Sequence, residues 1–429
     1  MPGRREPGAR RRQGAGPGQP VVSRRVVVLG AGHGGGEVVA ALRAGGFDGP
    51  LTLVGDEATP PYQRPPLSKS FLLGASPADE LLARPRSFYE QQQVDLVLGR
   101  RVDHVDTTAR TVQVGDESVP YDVLVLALGG RPRMLADPAA AKADNLHQVK
   151  THADVERLRD RLAPGTRVGV VGGGFVGLEV AASARKRGAE VTVLELAPRL
   201  LGRVCSEVVA EHVASLHGAR GVDVRTGVTG LHLVTGDDGR IARVATDQGI
   251  VEVDEVVVGI GMTPETGPAE QAGLAVDDGI LVDADYRTSA PDVFAIGDCA
   301  RVLRPDGSTL RLESAPHAAS SARRVAAVIL GRETPPDAAP WFWSHQFEVK
   351  IQMAGDPSAR VSRWVTRGDM AGGSFLTFGI VEDRIVRIEA VDRPAEFAQT
   401  KSWLDRPIPS VIDRLADESY SIRQLFARP

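Results

Sequence analysis

Short apolar runs rich in valine and leucine alternate with stretches of helical periodicity along most of the chain. The first three stretches, residues 26–29, 34–43 and 51–54, predict a strand, a helix and a second strand. Continuous β-branched runs are typical of parallel strands that are buried on both faces of a sheet. The alternation therefore predicts a doubly wound α/β architecture.

The same pattern of strand, helix and strand returns at residues 168–171, 177–187 and 191–194. Further apolar strands are predicted at residues 121–128, 255–258 and 293–296. Because strands of the first unit lie on both sides of the second unit in the chain, we predict that the second unit is inserted into the first. The chain would leave the first domain near Gly129 and return to it near Gly259.

A glycine-rich turn follows the first strand of each unit. The turns read Gly30-Ala31-Gly32-His33-Gly34-Gly35 and Gly172-Gly173-Gly174-Phe175-Val176-Gly177. Glycines let the backbone approach a pyrophosphate closely, and the following helix offers free amides at its N-terminus. The glycines assigned to these sites are Gly30, Gly32, Gly34 and Gly35, and Gly172, Gly174 and Gly177. Two such turns predict two dinucleotides, a flavin and a nicotinamide, with hydride passing between them.

An acidic residue follows the second strand of each unit, where a carboxylate accepts hydrogen bonds from adenosine ribose hydroxyls. These residues are Asp56 in the first unit and Glu195 in the second. Glu195 would repel a ribose 2′-phosphate, so the sequence predicts a preference for NADH over NADPH. Arg199 and Arg203 follow closely and are the alternative, as phosphate ligands; we interpret them instead as a solvated helix face.

Length and composition limit the class of protein. With 429 residues the chain exceeds one ordinary core, so two or three domains are expected. A hydrophobic content of 42%, a charged content of 25% and a net charge of −4 are typical of a globular protein without affinity for nucleic acid. We predict no membrane span, because no apolar run approaches the roughly 20 residues that a span needs. The two cysteines indicate a reducing cytoplasm rather than a disulfide framework.

Four regions are predicted along the chain. Residues 1–23 are rich in Arg, Gly and Pro and are predicted to be a disordered basic arm, since they lack the features of a targeting peptide. The flavin domain is assigned to residues 24–128 and 259–332, and the nicotinamide domain to residues 129–258. A proline-rich linker at residues 331–340 leads to a C-terminal α+β domain, residues 333–429, with strands at 375–380 and 384–390 and a helical tail.

One segment carries a specific resemblance. Residues 61–69, which read PYQRPPLSK, resemble the flavin-side signature of the putidaredoxin reductase and rhodocoxin reductase family. The resemblance continues through residues 172–179, 292–300, 313–316 and 340–344 and covers residues 24–429. It implies a glutathione-reductase-like fold with two Rossmann-type domains, bound FAD, use of NADH and reduction of a ferredoxin.

The resemblance also implies roles for individual residues. Lys69 and Glu179 would form an ion pair beside the flavin, and Trp343, with Trp341, would lie beside its ring system. Gly261, in the turn at residues 259–261, is assigned to the cofactor site. The resemblance places contacts with FAD at Gly34, Asp56, Lys69, Val102, Arg131, Lys150, Asp298 and Ala315.

The sequence departs from the family at four positions. Lys150 stands where the family has an arginine. The lysine keeps the positive charge but lacks the planar guanidinium fork. Leu128 replaces a threonine, His317 an asparagine and His345 an aspartate. Each change alters local hydrogen bonding, and none removes a group that electron transfer needs.

Cysteine and histidine usage excludes related reactions. A thiol-disulfide reductase of this fold needs a redox cysteine pair, and a related peroxidase or oxidase needs one cysteine near residues 60–67. Cys205 is predicted in a helix and Cys299 as a small buried side chain after Asp298, so neither is expected to act as a redox cysteine. The nine histidines have no paired spacing that would bind a metal. Electrons are therefore expected to leave the flavin directly for an external acceptor.

The resemblance implies that this acceptor is a [2Fe–2S] ferredoxin that supplies a cytochrome P450 or a ring-hydroxylating oxygenase. A local basic patch is expected to meet it. Two alternatives stay open: a reductase of rubredoxin, a quinone or oxygen, and a redox-sensing interaction protein like the apoptosis-inducing factors. The sequence leaves open a monomer or a homodimer.

Overall fold

The computed structural model describes residues 24–141, 143–336, 338–408 and 411–425. The arm expected at residues 1–23 lies outside the described residues. Among the residues that are described, no helix is both long and apolar enough to cross a bilayer.

The secondary structure alternates as expected through the first three quarters of the chain and becomes mainly antiparallel strands afterwards. The helices are α1 (His33–Ala44), α2 (Arg86–Gln91), α3 (His152–Arg161), α4 (Phe175–Lys186), α5 (Glu207–Ala219), α6 (Gly267–Gln271), α7 (Ala315–Ile329), α8 (Pro394–Thr400) and α9 (Ile422–Leu425).

The strands fall into three successive groups. Up to the second glycine turn they are β1 (Val26–Leu29), β2 (Leu51–Gly55), β3 (Val94–Leu98), β4 (His104–Asp106), β5 (Thr111–Val114), β6 (Glu117–Pro120), β7 (Val123–Leu126), β8 (Gly130–Pro132), β9 (Leu146–His147) and β10 (Arg167–Val171). Those of the middle of the chain are β11 (Glu190–Glu195), β12 (Val222–Thr226), β13 (His232–Thr235), β14 (Ile241–Thr246), β15 (Gly249–Glu252), β16 (Glu255–Val258), β17 (Met262–Pro264), β18 (Ile280–Val282), β19 (Val293–Ala295), β20 (Ala300–Leu303) and β21 (Thr309–Arg311). The last are β22 (Trp341–Gln346), β23 (Val349–Gly355), β24 (Arg363–Asp369), β25 (Ser374–Val381) and β26 (Arg384–Val391).

Two parallel five-stranded sheets organise the α/β part, with the strand orders β19-β7-β1-β2-β3 and β12-β11-β10-β16-β9. In each, the strand before the glycine turn is central: β1 pairs in parallel with β2 and β7, and β10 with β11 and β16. Every residue of β1, β7 and β16 is buried, which explains their continuous apolar runs. The predicted α/β fold with two Rossmann-type units is confirmed.

Short antiparallel pairs complete the α/β part. Strands β8 and β17 pair where the chain passes between the two parallel sheets. Three-stranded antiparallel sheets are formed by β4–β6 and by β13–β15. The strand expected at residues 121–128 is shorter: β7 covers Val123–Leu126, and the chain turns at Gly129, where φ is 68°.

The C-terminal region is a five-stranded antiparallel sheet with the order β22-β23-β26-β25-β24, packed against α8 and the tail. Both strands expected in it are present, as β25 and β26. One hydrophobic core joins this sheet to the other two units: it contains Phe71, Leu178 and Ile351. Residues around Lys69, the start of α4 and β22–β23 are thereby held against one another.

Candidate functional site

A cavity of about 1210 Å³ lies where the two parallel sheets face each other, and both glycine turns line it. In doubly wound sheets, ligands bind in the crevice at the carboxyl ends of the strands. The volume exceeds the roughly 300–1,000 Å³ of an ordinary small-molecule pocket. One continuous cavity therefore offers room for two dinucleotides end to end.

Most residues that the sequence assigned to the site line this cavity. They are Gly30, Gly32, Gly34, Asp56, Lys69, Val102, Arg131, Lys150, Gly172, Gly174, Glu179, Glu195, Gly261, Asp298, Ala315 and Trp343. Gly35 and Gly177 lie behind the wall instead, where a Cβ on either would overlap the carbonyl oxygen of Gly30 or Gly172. These two glycines let each helix pack closely on its strand.

The backbone of both turns requires glycine at its first position. Gly30 has a φ of 108° and Gly172 a φ of 109°, in the left-handed region that favours glycine. A Cβ on Gly30 would overlap the Ala127 carbonyl oxygen, and a Cβ on Gly172 the Gly259 carbonyl oxygen. The strands β7 and β16 thus end directly beneath the two turns.

Both helices that follow the turns begin without a side-chain cap. Their N-cap residues are Gly32 for α1 and Gly174 for α4, and neither helix has an acidic residue in its first turn. The first amides of a helix have no partner within the helix and carry partial positive charge. Because no side chain takes these amides, both helix ends fit the oxygens of a pyrophosphate.

The two carboxylates that the sequence predicts at ribose sites differ in how firmly they are held. Asp56 is exposed directly after β2. Glu195 ends β11, and its oxygens accept hydrogen bonds from the backbone N–H of Gly173 at 2.6 Å and of Ala197 at 2.7 Å. Glu195 is therefore an oriented negative charge at the cavity wall.

The interpretation of Arg199 and Arg203 as a helix face is wrong, because residues 196–204 form turns and α5 begins only after Ser206. Arg199 donates to the carbonyl oxygens of Gly202 and Cys205, both at 3.1 Å. Arg203 is exposed and lines the cavity.

A cluster of cations and carboxylates surrounds the first turn. Glu57 accepts hydrogen bonds from Tyr62 and Arg64, each at 2.6 Å, and Arg64 also donates to the backbone oxygen of Lys150 at 2.6 Å. Burial, and next the charge of Arg64, lowers the pKa of Lys150. Burial raises the pKa of Asp298, against the effect of Lys150. This end of the cavity is therefore polar and carries charges of both signs.

Lys69 and Glu179 meet as an ion pair in the cavity wall. The ammonium of Lys69 lies 2.5 Å from Oε2 of Glu179, which also accepts a hydrogen bond from the Ser68 hydroxyl at 2.5 Å. Ser344 donates to the other oxygen, Oε1, at 2.6 Å. Lys69 stands at a kink in the short helical turn Leu67–Phe71, where its φ of −125° and ψ of −108° interrupt the helix.

The sequence analysis did not assign Ser68 and Ser344 to the site. They reach Glu179 across 111 and 165 residues of chain, which no local pattern reveals. A signal exists in β22, where the polar residues Ser344 and Gln346 alternate with Trp343 and His345. Polar residues on the buried face of a strand indicate a specific partner.

Two stacked indole rings form one wall of the cavity. The ring centroids of Trp341 and Trp343 are 5.3 Å apart with an interplanar angle of 28°. The ammonium of Lys401 lies 4.5 Å from the centre of the Trp341 ring, as a cation–π contact. This wall is flat, aromatic and close to a positive charge.

The departures from the family pattern occupy different depths. Leu128 lines the cavity. His317 lies behind it, where burial lowers its pKa to about 4 and keeps the ring neutral at physiological pH. Burial, and next the charge of Lys69, lowers the pKa of His345.

Neither thiol reaches the cavity. The helical placement expected for Cys205 is wrong, because the residue precedes Ser206, the N-cap of α5; burial raises the pKa of its thiol. Cys299 is buried in the turn Gly297–Cys299, and burial raises its pKa to about 11. The described residues contain no cluster of three or more His, Cys, Asp or Glu side chains that would hold a metal.

Comparison with known proteins identifies two families along the chain. Residues 24–322 match the pyridine nucleotide-disulphide oxidoreductase family, and residues 341–426 match the reductase C-terminal family. Putidaredoxin reductase of Pseudomonas putida is 39% identical over 409 residues, which cover 94% of this chain and 96% of that protein. The ferredoxin–NAD(+) reductase component of the anthranilate 1,2-dioxygenase system of Burkholderia cepacia is 41% identical over 400 residues, or 92% of this chain and 98% of that protein.

A solved structure extends the likeness to the fold. The reductase in the crystal structure of the covalent putidaredoxin reductase–putidaredoxin complex has a TM-score of 0.91 and 38% identity, covering 95% of this chain and 99% of that one. The resemblance inferred from residues 61–69 is thereby confirmed. On the match of residues 24–322 and these relatives, the chain belongs to the pyridine nucleotide-disulphide oxidoreductase family.

Proposed function

We propose that this protein is an NADH-dependent ferredoxin reductase that holds FAD as its resident cofactor. The observation that carries the proposal is a single cavity lined by both glycine turns and by the Lys69–Glu179 pair, with no thiol in its wall. The curated relatives include ferredoxin reductases, and putidaredoxin reductase has been captured with putidaredoxin.

The residues around the first turn fit FAD. The amides at the start of α1 would take its pyrophosphate, Asp56 its adenosine ribose, and Asp298 a hydroxyl of its ribityl chain. The remaining lining residues from this side, which would complete the flavin site, are Lys69, Val102, Arg131, Lys150 and Ala315. Arg131 is already paired with Glu265, so its charge at the flavin is partly neutralised.

The residues around the second turn fit NADH. The start of α4 would take the pyrophosphate, and Gly261, which lines the cavity and whose φ of 101° favours glycine, would face the nicotinamide half. The oriented carboxylate of Glu195 would accept hydrogen bonds from the ribose and repel a 2′-phosphate. Arg203, which is exposed and lines the same cavity, would oppose that preference by attracting a 2′-phosphate.

When both cofactors are bound, they supply hydride transfer from NADH to the flavin and then single electrons to a [2Fe–2S] ferredoxin. The chain's own residues bind, orient and shield them. Lys69, held by Glu179, would present its ammonium to the flavin, and the Trp341–Trp343 wall would shield the flavin ring from water. Orientation is the main contribution of the protein to such a transfer.

We propose further that the ferredoxin supplies a cytochrome P450 or a ring-hydroxylating oxygenase. One relative is named as the reductase component of a dioxygenase system, which supports the ring-hydroxylating oxygenase. We retain the division into a flavin domain (24–128 and 259–332), a nicotinamide domain (129–258) and a C-terminal domain (333–429). We place the protein in the cytoplasm because both cysteines are free.

The proposal is tested by exchanging the acceptor in steady-state turnover with NADH. A [2Fe–2S] ferredoxin encoded near this protein should give a kcat/KM at least tenfold above those for rubredoxin, a soluble quinone and oxygen. A higher value for any of the other acceptors would assign the protein to that acceptor. A long-lived complex of the reduced protein with NAD⁺ that ferredoxin does not reoxidise would instead support the redox-sensing alternative.

A further inference from the structure

A chain of buried polar side chains leads from Glu179 away from the cavity. Ser344 donates to Glu179 at 2.6 Å and lies 2.9 Å from the amide nitrogen of Gln346. The amide oxygen of Gln346 lies 3.0 Å from Nε2 of His217. Ser344, Gln346 and His217 each have 0% of their surface exposed. Four polar groups are thus connected inside the protein.

The chemistry of these groups gives the chain a direction. The amide nitrogen of Gln346 can only donate, so Ser344 accepts from it and spends its own proton on Glu179. The amide oxygen of Gln346 can only accept, so Nε2 of His217 carries the proton. Burial lowers the pKa of His217 to about 4, which keeps that ring neutral. The hydrogen bonds from His217 to Gln346, from Gln346 to Ser344 and from Ser344 to Glu179 therefore all run towards the Glu179 carboxylate. The Gln346 amide also donates to the Phe175 carbonyl oxygen at 3.4 Å.

Glu179 connects three parts of the molecule through its two oxygens. It belongs to α4, and its Oε2 accepts from Ser68 and Lys69 of the turn Leu67–Phe71. Its Oε1 accepts from Ser344 of β22, and no other group among the described residues donates to this oxygen. A buried carboxylate without donors is costly, so Oε1 depends on this serine.

We propose that Ser344 is a positioning residue: with Gln346 and His217 behind it, it fixes the Glu179 carboxylate and thereby holds Lys69 at the cavity wall. This inference deepens the proposed function and rests on it for the role of Lys69 beside the flavin. The contacts themselves cross between the C-terminal sheet and the α/β part. Through Ser344, which does not itself contact the flavin, the C-terminal region would thus adjust the flavin site.

The test compares Ser344→Ala in the wild type with the same change in a Glu179→Gln background. If Ser344 acts through the carboxylate, the change to alanine should lower the unfolding temperature clearly in the wild type and much less in Glu179→Gln. Acetylation of the Lys69 amine, followed by peptide mass spectrometry, should be severalfold faster in Ser344→Ala and in Glu179→Gln. Equal temperature losses in both backgrounds, with unchanged Lys69 reactivity, overturn the inference.

Ser183→Ala is the matched control. Ser183 lies one turn further along α4, is also buried, and donates to the Ser68 carbonyl oxygen at 2.7 Å without touching Glu179. Its loss should leave Lys69 reactivity unchanged. Should Ser344→Ala fail to fold, Ser344→Cys keeps the shape of the side chain with a weak donor and should give the same pattern.

A functional readout separates this inference from the proposed function. In Ser344→Ala, flavin reduction at saturating NADH should slow by about tenfold, while the Kd for NADH stays within a factor of about two. A normal reduction rate in a variant whose Lys69 amine has become reactive overturns the part of the inference that links Ser344 to the flavin site. If NADH fails to reduce the wild-type flavin, the proposed function falls, and the acetylation rates still decide whether Ser344 holds Lys69.

Discussion

The two glycine turns have the same backbone and different surroundings. Both begin with a glycine at a φ near 108°, and both lead into a helix with a bare glycine N-cap. At its fifth position, Gly34, the first turn is covered: side chains of Ile296 and of Ala318 in α7 lie 3.5 and 3.8 Å from where a Cβ on Gly34 would be. The same position of the second turn is open, since it carries Val176, which is 47% exposed, and Leu196, which lines the same cavity, is 58% exposed.

This difference matches two kinds of ligand. A covered turn suits a cofactor that stays bound, because its release requires neighbouring elements to move. An open turn with exposed apolar side chains suits a cosubstrate that binds and leaves in every turnover. We therefore assign the flavin to the first turn and the exchanging nicotinamide to the second, and each prediction below separates the two.

The largest effect is expected from alanine at the two N-cap glycines. A Cβ on Gly32 or Gly174 meets no atom closer than 3.8 Å, so both variants should fold normally. The added methyl would stand where the backbone approaches a pyrophosphate. We expect Gly32→Ala to weaken FAD binding by on the order of a hundredfold, about 2.8 kcal/mol, measured by flavin fluorescence.

Gly174→Ala is the matched partner of that variant. It should keep its flavin and weaken NADH binding by a similar factor, measured from the concentration dependence of flavin reduction. The comparison breaks if Gly174→Ala loses FAD or if Gly32→Ala changes only the NADH dependence.

A smaller effect is expected from Asp298 at the covered end. Burial raises the pKa of its carboxyl, which lines the cavity. Asp298→Ala should weaken FAD retention by about 1–3 kcal/mol, because a polar partner in the flavin would be left unpaired. Asp298→Asn, which keeps an acceptor oxygen, is the control and should lose less. Full flavin occupancy with unchanged affinity in Asp298→Ala would remove this residue from the site.

The sequence predicted the parts of the site that repeat a local pattern. Each strand, glycine turn and helix lies within about twenty consecutive residues, and the position of Glu195 at the end of β11 follows from that unit. The pair of Lys69 with Glu179 required the family resemblance, because 110 residues separate the two in the chain.

Other features depended on packing that the sequence does not display. Ser344 reaches Glu179 only because β22 lies against α4, where Phe175 and Phe342 pack with ring centroids 4.9 Å apart. The helix expected around Cys205 was misplaced because the Ser206 N-cap, rather than the apolar pattern, sets where α5 begins.

At the open end, Glu195 is expected to set the nucleotide preference. The kcat/KM for NADH should exceed that for NADPH by about tenfold or more, about 1.4 kcal/mol, and Glu195→Ser should reduce the ratio sharply. Glu190→Ser, an exposed carboxylate at the other end of β11, is the control and should leave the ratio unchanged. Equal use of both nucleotides by the wild type would show that Arg203 outweighs Glu195.

The smallest effect is expected from the cysteines. Burial raises the pKa of both thiols, and neither lines the cavity. The double variant Cys205→Ser, Cys299→Ala should reduce ferricyanide with NADH within a few-fold of the wild-type rate. Loss of flavin reduction with FAD still bound would place a thiol on the electron route.

A single-turnover experiment tests the central claim most directly. The protein, freed of unbound nucleotide and kept without oxygen, is mixed with one equivalent of NADH and then with excess oxidised [2Fe–2S] ferredoxin in a stopped-flow spectrometer. We expect flavin retained on the protein to be bleached by NADH and to be reoxidised as two ferredoxins are reduced, because each accepts one electron. A flavin that NADH reduces but ferredoxin leaves reduced would contradict the account.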